Sequence, residues 1–237
     1  MNIYSVVCSR KDNQPPTVPQ LKSFFPDGHL SIQYDKTSIY EGYNVGVQEL
    51  NEKYTLQDDD IIIFSHDDIE YVTSFIELSK ILKYSFTILP NVGFLGVAGT
   101  KLLTEEAVWW NQLNWQQGFH RGFIFHGNSM FDAKPTVYSP PGKELDRQVL
   151  VMDGVLLACQ YKTLKLLGGW QKPESFVGNW DFYDIYTTWK ANRSNLRNFV
   201  VPIILRHMSF GNLAGRDGWE ANRKEFISLS ALPMEIV

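Results

Sequence analysis

Residues 61–64, Ile-Ile-Ile-Phe, are an apolar block with no polar position alternating through it. A strand of that pattern has to be covered on both faces, which puts it inside a mostly parallel sheet flanked by helices. The acidic turn Asp58-Asp59-Asp60 precedes the block, and the polar cluster His66-Asp67-Asp68 follows it after Ser65. In open α/β sheets, ligands bind beyond the carboxyl ends of the strands. A histidine and two carboxylates at that point are positioned to meet a divalent cation or a phosphate-bearing substrate. For the triplet alone, a solvated acidic turn is the competing reading.

The flanking sequence repeats the alternation. Ile3–Cys8 reads as a buried strand ending at Ser9-Arg10, and Lys11–Pro19, with three prolines, as a loop. Leu30–Tyr34 is a second strand, ending at Asp35-Lys36. Asn44–Tyr54 has apolar residues on one helical face, with Asn44 a suitable N-cap. Ser74-x-x-Glu77 opens a further helix to about Phe86 as a capping box, and Gly93–Ala98 is a fourth strand. This order predicts parallel pairing with right-handed crossovers.

Past Gly99 the rhythm is lost. Lys101–Arg147 holds Trp109, Trp110, Trp115, His120, His126 and seven Gly or Pro residues, which suits short hairpins and a functional loop. Val149–Gln160 is apolar apart from Asp153-Gly154. Tyr161–Leu167 reads as a helix stopped by Gly168-Gly169, and Trp180–Ala191 as a helix rich in aromatics. Phe199–Leu205 is a buried strand in which Pro202 argues against a central position, and Trp219–Leu229 is a terminal helix. With no repeat and no compositional break in 237 residues, one domain is expected.

A formal charge of −4, with no Lys/Arg-dense face, argues against a nucleic-acid partner. Cys8 and Cys159 each lie in an apolar run and read as buried free thiols. The chain begins directly with a strand and has no apolar run long enough to span a bilayer. No transmembrane segment and a cytoplasmic location are therefore expected; peripheral contact with a membrane surface stays open.

Ser9-Arg10, Asp35, His66-Asp67-Asp68, Asp153 and His207 all fall at or near strand ends, which suggests one crevice along the carboxyl edge of a sheet. Asp68 and His207 are the leading metal ligands, and hard oxygen with imidazole suits Mn²⁺ or Mg²⁺ held partly through substrate phosphates. His207 alone reads more often as a structural histidine. Asp181 and Asp184 are three apart and would share a helical face among Trp180, Phe182 and Tyr183. Partial desolvation there raises a carboxyl pKa toward that of a general base, whereas a helix-dipole role is the plainer account of Asp181. The three tryptophans of the 101–147 region read either as core or as a stacking platform for a sugar or base.

The sequence of motifs resembles a GT-A-type nucleotide-sugar glycosyltransferase of the family-2-like group. The matching pieces are Cys8-Ser9-Arg10, EGYN with Asn44, FSHDDIE, GVAGTKLL with Trp109-Trp110, MDGVLLA, the GGW turn, DFYDIY and HMSFG, spread over nearly the whole chain. The resemblance implies a single Rossmann-like α/β domain with a mixed, mostly parallel sheet, residues 1–100 forming the nucleotide-binding half and 101–237 the acceptor half. His66-Asp67-Asp68 stands at the family's DxD-type motif, with Asp68 meeting the metal; His66 departs from the usual first Asp but joins the ligand set. His207 matches a metal-completing histidine, and Asp184 the base of inverting members, with Asp181 its rival because Tyr186 replaces a second acidic residue. Ser9, Arg10, Asp35, Asn44 and Asp67 fall on the donor side, and Asp153-Gly154 where donor sugar and acceptor meet.

The implied reaction is transfer of a sugar from a nucleoside-diphosphate-sugar, a UDP-sugar first among donors, to a glycan or other hydroxyl acceptor with inversion. Two further classes stay open: a metal-dependent phosphohydrolase, and a non-catalytic nucleotide-sugar or glycan-binding domain.

Overall fold

The computed structural model describes every residue except 130, 143–144, 210–216 and 237. Its first half builds β1 (Ile3–Ser9), α1 (Val18–Phe24), β2 (Leu30–Tyr34), α2 (Ile39–Tyr54), β3 (Ile61–Ser65), β4 (Ile69–Tyr71), α3 (Phe75–Ile88) and β5 (Val92–Gly96). There follow β6 (Ala98–Thr100), β7 (Leu102–Leu103), α4 (Gln112–Gln116), β8 (His120–His126) and β9 (Lys134–Val137). The remainder is β10 (Gln148–Val149), β11 (Val151–Met152), β12 (Leu156–Gln160), α5 (Tyr161–Leu167), α6 (Tyr183–Arg193), β13 (Arg197–Val200), β14 (Leu205–His207), α7 (Asp217–Leu229) and β15 (Met234–Glu235).

The main sheet has the order β10-β13-β5-β12-β3-β1-β2. Strands β1, β2, β3, β5 and β13 run one way, and β12 and β10 run against them. This is the mixed, mostly parallel sheet of a Rossmann-like GT-A domain. Every residue of β3 is buried. Ile62 and Phe64 face a core shared with Tyr43 and Leu50 of α2 and Leu164 of α5. Ile61 and Ile63 face the other core, shared with Leu21 of α1, Leu78 and Leu82 of α3, and the second sheet. Each such side chain contributes about 1.5–3 kcal/mol by leaving water, which is why the block cannot sit at an edge.

The second sheet, β11-β6-β8-β14-β4 with β9 paired to β8, stands at the carboxyl edge of the first. The chain passes between the sheets at 66–68, at Val97, at Leu150, at 153–155 and at 201–204. Three apolar runs that read as continuous strands are therefore divided. Gly93–Ala98 splits at Val97, whose carbonyl accepts from Phe123 N rather than continuing the ladder. Val149–Gln160 splits into β10, β11 and β12, and Phe199–Leu205 splits at Pro202.

Helix starts also differ from expectation. Ser38, not Asn44, caps α2: its side chain accepts from Glu41 N, and Ser38-x-x-Glu41 is itself a capping-box pattern. Helix α1 begins at Val18 within the expected proline loop, because Pro19 occupies the first turn, where no N–H is needed. Helix α6 begins at Tyr183, later than expected, after Phe182 takes a left-handed conformation (φ 68°). The Phe210-Gly211 end of HMSFG lies outside the described residues.

Asn198 locks the seam. A bulge interrupts the β13–β5 register beside it, and its Oδ1 accepts from Phe94 N at 3.2 Å in place of the ladder. Its Nδ2 donates to Leu150 O and Thr188 O, both at 2.8 Å, in a fully buried setting. Asn198→Ala leaves three buried backbone groups short of a partner and is expected to lower unfolding free energy by about 2–4 kcal/mol in urea titration. A loss below about 1 kcal/mol would show that the clamp contributes little.

Candidate active site

β14 is threaded between β4, antiparallel, and β8, parallel, with His207 in register with Ile69 on one side and His126 on the other. Met208 N donates to Asp68 O at 2.9 Å, and Gly127 N donates to His207 O at 3.1 Å. The ladder thus carries His207 to the cluster at the end of β3, although His66 is 141 positions away in the chain.

Three side-chain atoms meet there. His66 Nδ1 lies 3.2 Å from His207 Nε2 and 3.8 Å from Asp68 Oδ1, and His207 Nε2 lies 3.2 Å from Asp68 Oδ1. Metal–ligand bonds of about 2.1 Å place neighbouring ligand atoms roughly 3.0–3.5 Å apart, so the two 3.2 Å spacings fit one first-row cation and the 3.8 Å spacing exceeds the range slightly. Asp68 Oδ1 is buried and makes no well-directed hydrogen bond, a further sign of a ligand atom. Burial works to raise the Asp68 pKa, but the His207 and His66 imidazoles outweigh it and hold the carboxyl below its ordinary value. His207 shifts the other way: burial opposes its charge, yet Asp68 and then Asp153 raise its pKa.

Beyond the cluster opens a cleft of about 710 Å³, walled by Ser9, Arg10, Asp35, Lys36, His66, Asp67, Asp68, Trp180 and Tyr183 among others. Ser9 Oγ donates to Asp67 Oδ2 at 2.7 Å, joining the ends of β1 and β3. Burial raises the Asp67 pKa, partly offset by that bond. Asp35 has left-handed backbone (φ 52°), and its Oδ1 accepts from Lys11 N at 3.1 Å. Of the residues read on the donor side, Ser9, Arg10, Asp35 and Asp67 are on this wall.

Asn44 is not. It sits inside α2, where its amide donates to Trp170 O at 2.8 Å and accepts from Trp170 N at 2.9 Å, pinning the GGW turn. Asp153, Gly154 and Asp184 are not on this wall either; they stand behind Tyr183, which lines it. Gly154 N donates to Asp184 Oδ2 at 2.8 Å. A Cβ on Gly154 would stand 2.2 Å from Tyr183 Oη, so no other residue fits this close approach. Tyr183 Oη is 3.0 Å from His66 Nε2 and donates to Gly154 O at 3.4 Å. One hydroxyl therefore bridges the imidazole–carboxylate cluster and the loop that holds Asp184.

Burial, then the nearby Asp153, push the Asp184 pKa up to about 7 against the backbone donors that favour its charge. Asp181 does not share its helical face, because the left-handed Phe182 turns the chain before α6 begins. Asp181 instead faces the start of α7: its carbonyl accepts from Asn222 Nδ2 at 3.0 Å, and a Cβ on Gly218 would meet its Oδ2 at 3.1 Å. The tryptophans divide between the two readings, Trp109 being core and Trp110 and Trp115 remaining 40% and 47% exposed.

The sequence profile of a glycosyltransferase-like family matches residues 29–228, from just before β2 into α7. The chain belongs to that family. It is a GT-A glycosyltransferase of the family-2-like kind, and its chemistry is glycosyl transfer. A comparison with curated proteins gives no match. No helix among the described residues is long and apolar enough to cross a membrane.

Two residues of this transferase's site were not singled out from sequence. Lys36 is a cation on the cleft wall, directly after β2 and beside Asp35, and that position was the available signal. Tyr183 is the bridging hydroxyl, and nothing in its spacing distinguishes it from the other tyrosines among 11.

The Asp184 pKa fixes a pH dependence. With a native value of about 7 and an ordinary value of 3.8, the folded protein keeps a proton that the unfolded chain has released between those limits. Stability from this group is fully present at the acid end and is lost as pH rises through about 7. In chelator-treated protein, the urea midpoint is expected to fall across that window, and less steeply in Asp184→Asn. Identical slopes for the two proteins would contradict the assignment.

Proposed function

We propose that the transferase moves a sugar from a nucleoside-diphosphate-sugar, a UDP-sugar first among donors, to an acceptor hydroxyl with inversion, using a divalent cation. Asp68, His207 and His66 would hold the cation, and two imidazoles with one carboxylate favour Mn²⁺ over Mg²⁺. When bound, it supplies positive charge to a diphosphate leaving group. With Nδ1 turned toward the cation, His66 carries its proton on Nε2 and donates it to Tyr183 Oη, which fixes the ring. Arg10 and Lys36 add positive charge to the same cleft, and Asp35 on its wall would meet the nucleoside. In this reading residues 1–100 supply the nucleotide site and residues 101–237 the acceptor side.

Asp184 takes the acceptor hydroxyl proton. A carboxyl with a pKa near 7 is matched to that task, and general-base help is worth roughly 10²–10⁴-fold. The observation that carries the reading is the contact chain from His66 through Tyr183 to Gly154 and Asp184, which joins the cation cluster to the proposed base. A phosphohydrolase is disfavoured because the His–Asp pair stands on a crossing between two sheets, not on a helix.

Asp184→Asn preserves shape and removes the basic oxygen. It is expected to lower sugar transfer roughly 10²–10⁴-fold while UDP affinity, measured by calorimetry with Mn²⁺, is unchanged. Full transfer activity in a folded, UDP-binding variant would remove Asp184 from the mechanism.

A further inference from the structure

Trp109 and Trp110 are adjacent and have opposite fates. Trp109 is 2% exposed, and its carbonyl accepts from His120 Nε2 at 2.5 Å. Trp110 is displayed, leaning on Trp219 of α7 with ring centroids 5.8 Å apart and planes inclined by 41°. Trp219 rests in turn on Phe182, 5.5 Å away, the residue that caps α6. Arg223 ties the pair from behind: it donates to Glu106 O at 2.7 Å and to both Glu220 oxygens at 2.8 Å, with its guanidinium 6.0 Å from the Trp219 ring. The buried Trp109 and the Arg223 bridge hold the two partly open indoles in a fixed arrangement.

Their place is defined by residues 180–184. Trp180 lines the nucleotide cleft, Phe182 meets Trp219, and Asp184 lies at Gly154. Asp181, one residue before Phe182, touches the first turn of α7 at Gly218. The two indoles share no residue with the nucleotide cleft, yet one short segment joins both to the proposed base. An acceptor must lie within reach of that base and outside the donor site. The cations beside the indoles, Arg223 and Lys224, are paired with Glu220, which disfavours an anionic lipid surface. A pyranose ring combines an apolar C–H face with peripheral hydroxyls, and indole faces bordered by the Glu220–Arg223 pair match both parts.

We propose that Trp110 and Trp219 form the acceptor subsite, and that the acceptor is a saccharide whose pyranose ring lies on the two indoles. This deepens the reading given above and rests on it.

The test is saturation-transfer NMR with the methyl pyranosides of glucose, galactose, mannose and N-acetylglucosamine at millimolar concentration, with UDP affinity measured in parallel. At least one pyranoside is expected to receive saturation on one ring face. Trp110→Ala should weaken that binding at least about fivefold, and Trp219→Ala likewise. Trp115→Ala removes another exposed indole and should leave it unchanged, and UDP affinity should be equal in all four proteins. Normal UDP binding with no pyranoside contact, or with contact indifferent to Trp110, overturns the subsite and leaves the donor reading standing. Loss of UDP binding everywhere with pyranoside contact still sensitive to Trp110 supports the subsite and defeats the donor reading. Trp110-dependent flotation with phosphatidylcholine–phosphatidylglycerol vesicles, without pyranoside contact, overturns the proposal in favour of a membrane surface.

Discussion

Strand β14 is three residues long, and the site depends on its hydrogen bonds to both neighbours. Register with β4 sets His207 against the residues that follow β3, and register with β8 closes the other side through Gly127. A slip of one residue would turn His207 to the opposite face, as any strand slip does. Arg206 limits that slip: its guanidinium is buried, paired with Glu70 of β4 at 2.8 Å and donating to Gly127 O at 2.8 Å. A strand that short could not hold its position alone. Two ladders and one buried ion pair make it a rigid carrier for the imidazole.

The same seam organises the chemistry. Among the described residues the chain makes five short steps between the two sheets, and His66–Asp68 and Asp153–Gly154 lie on two of them. Crossings at the carboxyl edge release backbone from the ladder, so side chains there can turn toward one another. Tyr183 then joins two crossings with a single hydroxyl, and Gly154 permits the approach by lacking a side chain. Charge follows geometry: the imidazoles keep Asp68 ionised, while burial and Asp153 keep Asp184 near neutrality of its proton balance. Two neighbouring carboxylates thus acquire different pKa values, as the proposed ligand and base would require.

Much of this was legible beforehand. The uninterrupted Ile61–Phe64 block identified the doubly covered strand, and the polar group after it lines the cleft. What failed was continuity. Apolar periodicity cannot distinguish a strand that continues from one that leaves its sheet, so Val97 and the 201–204 step were hidden inside buried runs. Local chemistry misled in two places. Asn44 can cap a helix, but Ser38 with Glu41 does so earlier, and the Asn44 amide pairs with the Trp170 backbone instead. Asp181 would share a face with Asp184 only in a helix that began before Phe182, and the left-handed backbone there separates them. Tyr183 acquires its role wholly from tertiary contact, which no spacing announces.

Convergence of His66, Asp68 and His207 on one cation is most directly tested by pulsed electron paramagnetic resonance on the Mn²⁺-loaded protein. Nitrogen couplings from two imidazoles are expected, one disappearing in His66→Gln and the other in His207→Gln, with Asp68→Ala abolishing tight loading. A spectrum without imidazole nitrogen, or one that neither histidine substitution alters, would contradict a shared site.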